Sequence, residues 1–385
     1  MKAINIHNRP TDRHLRGLDQ SRFGDLCQET ATPFMILRTE KIRGQLNRLR
    51  RAIPRTEVFY AVKANNHQAI IQTLTEENGR FDISSAAELK QITSAGGRAD
   101  QVIHSNPIKS RLEFDTAVET GVTTFVVDNP DELEKFTRYE GRAGVLLRFK
   151  TKAGGSVVDL SYKFGAERSD LPALLDRIRD MKIPFRGFCF HVGSQCLDCS
   201  KYTAAIADAG QLIALAEERG LITEILDIGG GFPIEYTDGV PDIETIGAAI
   251  MTALNQYIDP RVRVVCEPGR YISGEAATLI VSVIGKAVRD GRKWYYIDDG
   301  LYGSFSGRLF DQCSYQILTN RNTKWEKAVL AGPTCDSFDV IYRDCLMPPL
   351  DIGDILIFPT MGAYCSVSAT EFNGLGSARV IPVDW

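Results

Sequence analysis

Four short stretches of this 385-residue chain carry side chains whose types and spacing could do chemistry together. Lys63 closes an apolar run in Tyr60-Ala-Val-Lys-Ala-Asn65. A lysine at the end of a buried strand is costly unless something uses it, and a desolvated, partly neutral amine is what imine formation with a carbonyl requires. The plain alternative is a lysine that reaches solvent past the strand end. His191 opens His191-Val-Gly-Ser194, Asp227-Ile-Gly-Gly-Gly-Phe-Pro233 holds three consecutive glycines, and Glu267-Pro-Gly-Arg270 ends in an arginine. Consecutive glycines let backbone N–H groups approach a phosphate closely, and a guanidinium offers a fork of donors suited to its oxygens.

The elements that must position these stretches repeat one pattern eight times between Glu57 and Ile272: an apolar run, a polar turn, a helical segment. The runs are Glu57–Val62, Arg80–Ile83, Gln101–His104, Thr123–Val127, Gly144–Phe149, Pro184–Phe190, Glu224–Ile228 and Val262–Cys266. They are too continuously apolar for a sheet with one wet face, as parallel strands buried on both faces should be. Ser85-Ala-Ala-Glu88 and Ser110-Arg-Leu-Glu113 read as capping boxes, and Asp128-Asn129-Pro130 as a cap with proline in the first turn. Eight such units predict a (β/α)8 TIM barrel; a doubly wound open sheet is the alternative, but it would rarely need eight units so regular.

In a barrel, the four stretches fall after strands one, six, seven and eight. Active sites lie at these strand ends, and the loops after strands seven and eight are the recurring phosphate site. An amine for an aldehyde and a glycine–arginine cradle for a phosphate together describe pyridoxal 5'-phosphate.

After Ser273 the texture turns β-rich, with runs at Ala277–Ile284, Lys293–Ile297, Lys327–Leu330, Val340–Tyr342 and Asp354–Phe358 and turns marked by Pro348-Pro349 and Gly353. The expected organisation is a segment 1–37 that holds a strand at Phe34–Leu37 and packs on the β domain, a barrel at 38–273, and a C-terminal β domain at 274–385. Apolar residues at 44% and charged ones at 24% are ordinary for a globular protein, and a net charge of −4 gives no reason to expect nucleic acid or an anionic membrane as partner. The first thirty residues hold no apolar run, so a secretory signal is not expected, nor a membrane span later. Nine cysteines then read as reduced thiols of a cytoplasmic protein. The cluster Cys189, His191, Cys196, Cys199 invites a zinc or redox reading, but no second C-x-x-C or histidine pair completes it, so no metal is expected.

The ordered motifs YAVKAN, HVGSQ, DIGGGFP, EPGRYIS, GPTCDSFD and MGAYCSVSATEFNG, spread from about Thr32 to Gly374, resemble those of the fold type III pyridoxal-phosphate decarboxylases, the ornithine/lysine decarboxylase family. The resemblance implies an alanine racemase-like barrel followed by a β domain, and a homodimer with shared active sites. It makes Lys63 the Schiff-base lysine and His191 the imidazole stacked on the cofactor ring. Ser194, Gly229, Gly230, Gly231, Gly269 and Arg270 become the phosphate cradle, with Tyr364 a further phosphate contact. Glu267 becomes the acid facing the pyridine nitrogen, where alanine racemases have arginine, which favours decarboxylation over racemisation. Asp82 and Arg148 fall in the supporting polar shell. Cys335 becomes the proton donor to Cα, reaching across the dimer. Asp336 and Asp311 become the carboxylates gripping a distal ammonium, with Tyr302 nearby; two such carboxylates would repel unless a cation sits between them.

The implied activity is decarboxylation of ornithine or lysine to putrescine or cadaverine. A carboxy-lyase for another diamino acid, or for a siderophore or polyamine intermediate, is the alternative; Cys335-Asp336-Ser337, against the Cys-Glu-Ser of diaminopimelate decarboxylases, speaks against that particular substrate. A non-catalytic homologue like the antizyme inhibitors is the third reading. The chain departs from relatives at Asn66-His67, where a proline-containing turn is common, between Gly154 and Asp159, and in its N-terminal arm.

Overall fold

The computed structural model describes residues 19–385 apart from 140, 152–155, 159–161, 237, 320 and 322. The chain divides into two compact units: Arg43–Glu235 with Gly239–Ile272, and the described residues up to Ile42 with Tyr236, Asp238 and Ser273–Trp385.

The first strand, β1 (Phe34–Arg38), belongs to the second of these units. The first unit is built on β2 (Thr56–Ala61), β3 (Arg80–Ile83), β4 (Val102–His104), β5 (Thr124–Val127), β6 (Gly144–Arg148), the short β7 (Ser156–Val158), β8 (Phe185–Cys189), the short β9 (Ser194–Cys196), β10 (Ile225–Asp227) and β11 (Arg263–Cys266). β2, β3, β4, β5, β6, β8, β10 and β11 pair in parallel and close into a barrel, so the TIM-barrel reading holds; β7 and β9 form a separate antiparallel pair. Phe59, Ile103, Val126, Leu146, Cys189, Ile225 and Val265 come from seven different strands and form one buried cluster. Side chains drawn from all round a closed ring can meet only inside it, so the barrel is a packed core with chemistry confined to its rim.

The helix starts obey the local signals with one correction. Ser85 accepts from the Glu88 N–H, and the Glu88 carboxylate takes the Ser84 N–H at 2.6 Å. Asn129 caps Asp131 and Glu132, with Pro130 in the first turn. Ser110 does cap Glu113, but the Glu113 carboxylate is hydrogen-bonded to the Ala86 N–H, at the start of the neighbouring helix Ala86–Ser94. A carboxylate can satisfy either orphan donor, and the adjacent helix start wins it from the local box. At the Asn66-His67 departure, Asn65 Oδ1 accepts from the His67 N–H and His67 Nδ1 accepts from the Ala69 N–H, so a histidine caps the helix Gln68–Glu76.

The second unit contains β12 (Ala277–Arg289), β13 (Arg292–Ile297), β14 (Glu326–Ala331), β15 (Val340–Met347), β16 (Ile355–Phe358) and β17 (Arg379–Val383). With β1 they make a seven-stranded sheet, ordered β15-β14-β13-β12-β1-β17 with β16 also on β12. β1 is buried along its whole length, antiparallel to β12 and parallel to β17. β12 serves two halves of the sheet, pairing β1 and β16 through Ala277–Ser282 and β13 beyond a bulge at Val283–Gly285. In its first half, Leu279 and Val281 face one core cluster and Ile280 another, which is why that stretch is apolar on both faces.

Candidate active site

Lys63 sits in the single turn Val62–Ala64 that follows β2. The register of β2 and β3 places Ala61 opposite Asp82, and Lys63 Nζ lies 2.7 Å from Asp82 Oδ2. The lysine side chain is 39% exposed and the aspartate 0%, so the amine reaches outward from a buried anchor. Asp82 Oδ1 is buried with no donor among the described residues.

β10 ends at Asp227, and Glu267 follows β11. Both are buried, and each carboxyl lies within electrostatic reach of the other. Asp227 Oδ1 accepts from the Gly229 N–H at 2.8 Å, while Asp227 Oδ2 and Glu267 Oε1 have no donor among the described residues. Two buried carboxyls without a base between them retain a proton. Burial first, then the charges of Asp227 and Asp82, hold Glu267 well above the usual carboxylate range, with Lys63 pulling the other way; burial pushes Asp227 up to about 7. The folded chain therefore binds more protons than the unfolded one between about pH 4 and pH 7, and this pair weakens the fold as pH rises through that window. For the cofactor-free protein, stability relative to Asp227→Asn is expected to shift against the wild type by on the order of 3 kcal/mol from pH 4 to pH 7. Equal differences at the two ends, measured by denaturant unfolding, would contradict proton retention by the buried pair.

His191 follows β8, and its Nδ1 accepts from the Gly193 N–H at 3.0 Å. Burial, then Arg148, then Lys63, push its imidazole well below the ordinary histidine range, so it is a neutral ring. The Thr151 hydroxyl donates to the His191 carbonyl at 3.0 Å and fixes the turn. Arg148, closing β6, lies 5.5 Å from the Phe164 ring centroid.

The glycine run packs too tightly for side chains. Gly229 and Gly231 have φ of 66° and 92°, and a Cβ on Gly230 would stand 2.5 Å from the Glu267 carbonyl oxygen. Tyr202 donates to the Gly230 carbonyl at 2.9 Å from behind. At Gly269 a Cβ would stand 2.7 Å from that of Ala64, which ties the arginine loop to the lysine turn. Arg270 is buried, with Nη2 3.3 Å from Ser194 Oγ. Lys63, Asp82, Arg148, His191, Ser194, the three glycines, Glu267, Gly269 and Arg270 thus gather at the same ends of the barrel strands.

The remaining expected residues lie in the second unit. Tyr302 donates its hydroxyl to Asp336 Oδ2, and Asp336 Oδ1 accepts from the Phe338 N–H at 3.0 Å. That bond lowers the Asp336 carboxyl and raises the Tyr302 phenol. Cys335 is exposed beside Asp336. Asp311 is half-buried on a separate turn, its N–H bonded to the Gly307 carbonyl at 3.1 Å. Tyr364 has φ of 55°, and its carbonyl accepts from the Ser306 and Ser368 hydroxyls at 3.2 and 2.8 Å.

Sequence reasoning gave Asp227, Thr151 and Tyr202 no part in this site. For Asp227 the signal was present: a charged residue closing an apolar run, as at Lys63. Among the described residues no group of three or more His, Cys, Asp or Glu side chains could hold a metal ion; Cys196 Sγ instead donates to the Asp198 carbonyl.

A strand-end amine, a buried acid pair with unsatisfied oxygens, and a glycine cradle backed by arginine define a barrel built for a phosphorylated aldehyde with a basic ring nitrogen. The family model for the pyridoxal-binding domain of pyridoxal-dependent decarboxylases matches residues 39–274. The chain is 38% identical to lysine/ornithine decarboxylase of Selenomonas ruminantium, covering 94% of this chain and 93% of that one. It is 34% identical to antizyme inhibitor 2 of Xenopus laevis, covering 86% and 77%. A crystal structure of lysine/ornithine decarboxylase from Vibrio vulnificus complexed with cadaverine superimposes with a TM-score of 0.90 at 38% identity, covering 95% of this chain and 98% of that one. The chain belongs to the ornithine/lysine decarboxylase family of pyridoxal-phosphate enzymes, and it is a pyridoxal-dependent amino-acid decarboxylase.

Proposed function

We propose that the chain removes carbon dioxide from ornithine or lysine, giving putrescine or cadaverine, and that it acts in the cytoplasm as a homodimer whose subunits share active sites. The observation that carries this reading is the buried Asp227–Glu267 pair near Lys63, an arrangement that presents acid to a basic ring nitrogen. The relatives named as lysine/ornithine decarboxylases, one of them complexed with cadaverine, support the substrate class.

Bound pyridoxal phosphate supplies an electron sink for the pair of electrons left when carbon dioxide departs. Lys63 would hold its aldehyde carbon, with Asp82 as the counter-charge that orients the amine. Glu267, backed by Asp227, would keep the ring nitrogen protonated. His191, neutral and fixed through Nδ1, would offer its ring face without adding charge. The Gly229–Gly231 backbone, Gly269, Ser194 and Arg270 would take the phosphate, with Tyr364 a further contact and Arg148 in the supporting shell. Cys335 would give the proton to Cα, while Asp336, Asp311 and Tyr302 would hold the substrate's distal ammonium.

The antizyme-inhibitor reading requires lost cofactor contacts, yet Lys63, Glu267, Arg270, Cys335 and Asp336 are all present. The test is incubation of the cofactor-loaded protein with a panel of basic amino acids, measuring carbon dioxide and amines. Diamine from ornithine or lysine, strongly reduced by Asp336→Ala, is expected; release from neither substrate overturns the proposal. Shared sites predict a complementation result. Mixing inactive Lys63→Ala with inactive Cys335→Ala subunits in equal amounts should restore about a quarter of wild-type activity, because half the dimers are mixed and each has one intact site. No recovery after verified subunit exchange would mean that each chain completes its own site.

A further inference from the structure

A thiol that must deliver a proton to one carbon and not to its neighbour needs a fixed place, yet Cys335 lies on an exposed turn between β14 and β15. The described contacts show what fixes it. The Cys335 N–H donates to Asn373 Oδ1 at 3.0 Å. Asn373 sits in the short turn Phe372–Gly374 with φ 60° and ψ 12°, a left-handed conformation that asparagine tolerates better than most residues. The same turn is clamped to Tyr302: the Phe372 ring stacks on the Tyr302 ring at 4.4 Å and 24°, and the Thr370 N–H donates to the Tyr302 carbonyl at 2.8 Å. Tyr302 in turn donates to Asp336, the next residue after Cys335. The strap Thr370–Gly374 thus grips the thiol loop at its backbone and the carboxylate through a tyrosine.

The geometry points to Asn373 as the positioning residue for Cys335, the side chain that decides which carbon receives the proton after decarboxylation. This rests on the decarboxylase reading above. The electron pair left at Cα can take its proton there, from the Cys335 thiol, and the product is the diamine. Protonation instead at the carbon that had been the cofactor's aldehyde, followed by hydrolysis with one water, releases an amino aldehyde. The cofactor is then left as pyridoxamine phosphate, reduced by that same electron pair. A misplaced thiol therefore changes the product as well as the rate.

The experiment compares cofactor-loaded wild type with Asn373→Gly, Asn373→Ala and Asn373→Asp. Glycine removes the acceptor while keeping the left-handed backbone, alanine is a second acceptor-free variant should the glycine protein fail to fold, and aspartate restores an acceptor of the same shape. Two quantities are read: amide hydrogen exchange at Cys335, and the fraction of turnovers that end in aldehyde plus pyridoxamine phosphate. In the acceptor-free variants exchange should quicken and the aldehyde fraction should rise on the order of tenfold, since small misplacements of a reacting group can cost up to about a hundredfold. Asn373→Asp should restore both. Unchanged exchange, quickened exchange with an unchanged product ratio, or an aspartate variant that behaves like glycine each overturns the assignment. A wild type that releases no diamine overturns the decarboxylase reading and this inference with it, whereas a working wild type with an unaltered glycine variant overturns this inference alone.

Discussion

Lys63→Ala is expected to lower kcat on ornithine or lysine by about a thousandfold, because one positioned amine would serve as both nucleophile and proton carrier. The same substitution leaves Asp82 buried with no counter-charge. Stripping one member from a fully buried pair costs about 3–5 kcal/mol, but with the lysine 39% exposed the loss here should be nearer 1–2 kcal/mol. The two effects separate in the double variant Lys63→Ala/Asp82→Asn, which should regain stability in denaturant melts while staying inactive. Wild-type turnover by Lys63→Ala would remove the central residue of the proposal.

Glu267→Gln should cost on the order of a hundredfold in kcat while leaving the cofactor bound, since Lys63 and the phosphate cradle are untouched. Glutamine keeps the shape and can still meet the ring nitrogen, but it cannot hold a proton there. The substitution leaves Asp227 as buried as before, and because burial is the first cause of its raised carboxyl, Asp227 should stay well above the usual aspartate range. Cofactor content read from bound absorbance, alongside turnover, distinguishes lost electron withdrawal from lost binding. Near-normal turnover with full cofactor would show that the acid pair has no part in drawing charge into the ring.

The barrel was legible because its eight strands are buried on both faces and end in residues that break the apolar run. Lys63, Asp82 and Glu267 stand out for that reason, and Arg270 stands out beside its glycine. Asp227 passed unremarked because the glycines next to it supplied a sufficient reason for the motif. The second half of β12 and the strand β17 were invisible for a different reason. Beyond Val283, β12 carries exposed and charged positions, and β17 holds Arg379 and Pro382 on a sheet edge where proline is tolerated. Such strands are specified by their partners, and pairing at long range leaves no periodic signature in a local window. The Glu113 carboxylate illustrates the same limit on a smaller scale: its partner 27 positions away is fixed by how two helices pack.

The placement of β1 also sets a timetable for biosynthesis. Phe34 is paired with Ile280 on one side and Arg379 on the other. At translation rates of about 5–20 residues per second, Phe34-Met-Ile-Leu37 leaves the ribosome roughly twenty to seventy seconds before its final neighbour is made. For most of that interval, until β12 emerges, an apolar stretch waits without any of its sheet, a standing invitation to chaperones or to another nascent copy, while the intervening barrel has time to collapse on its own.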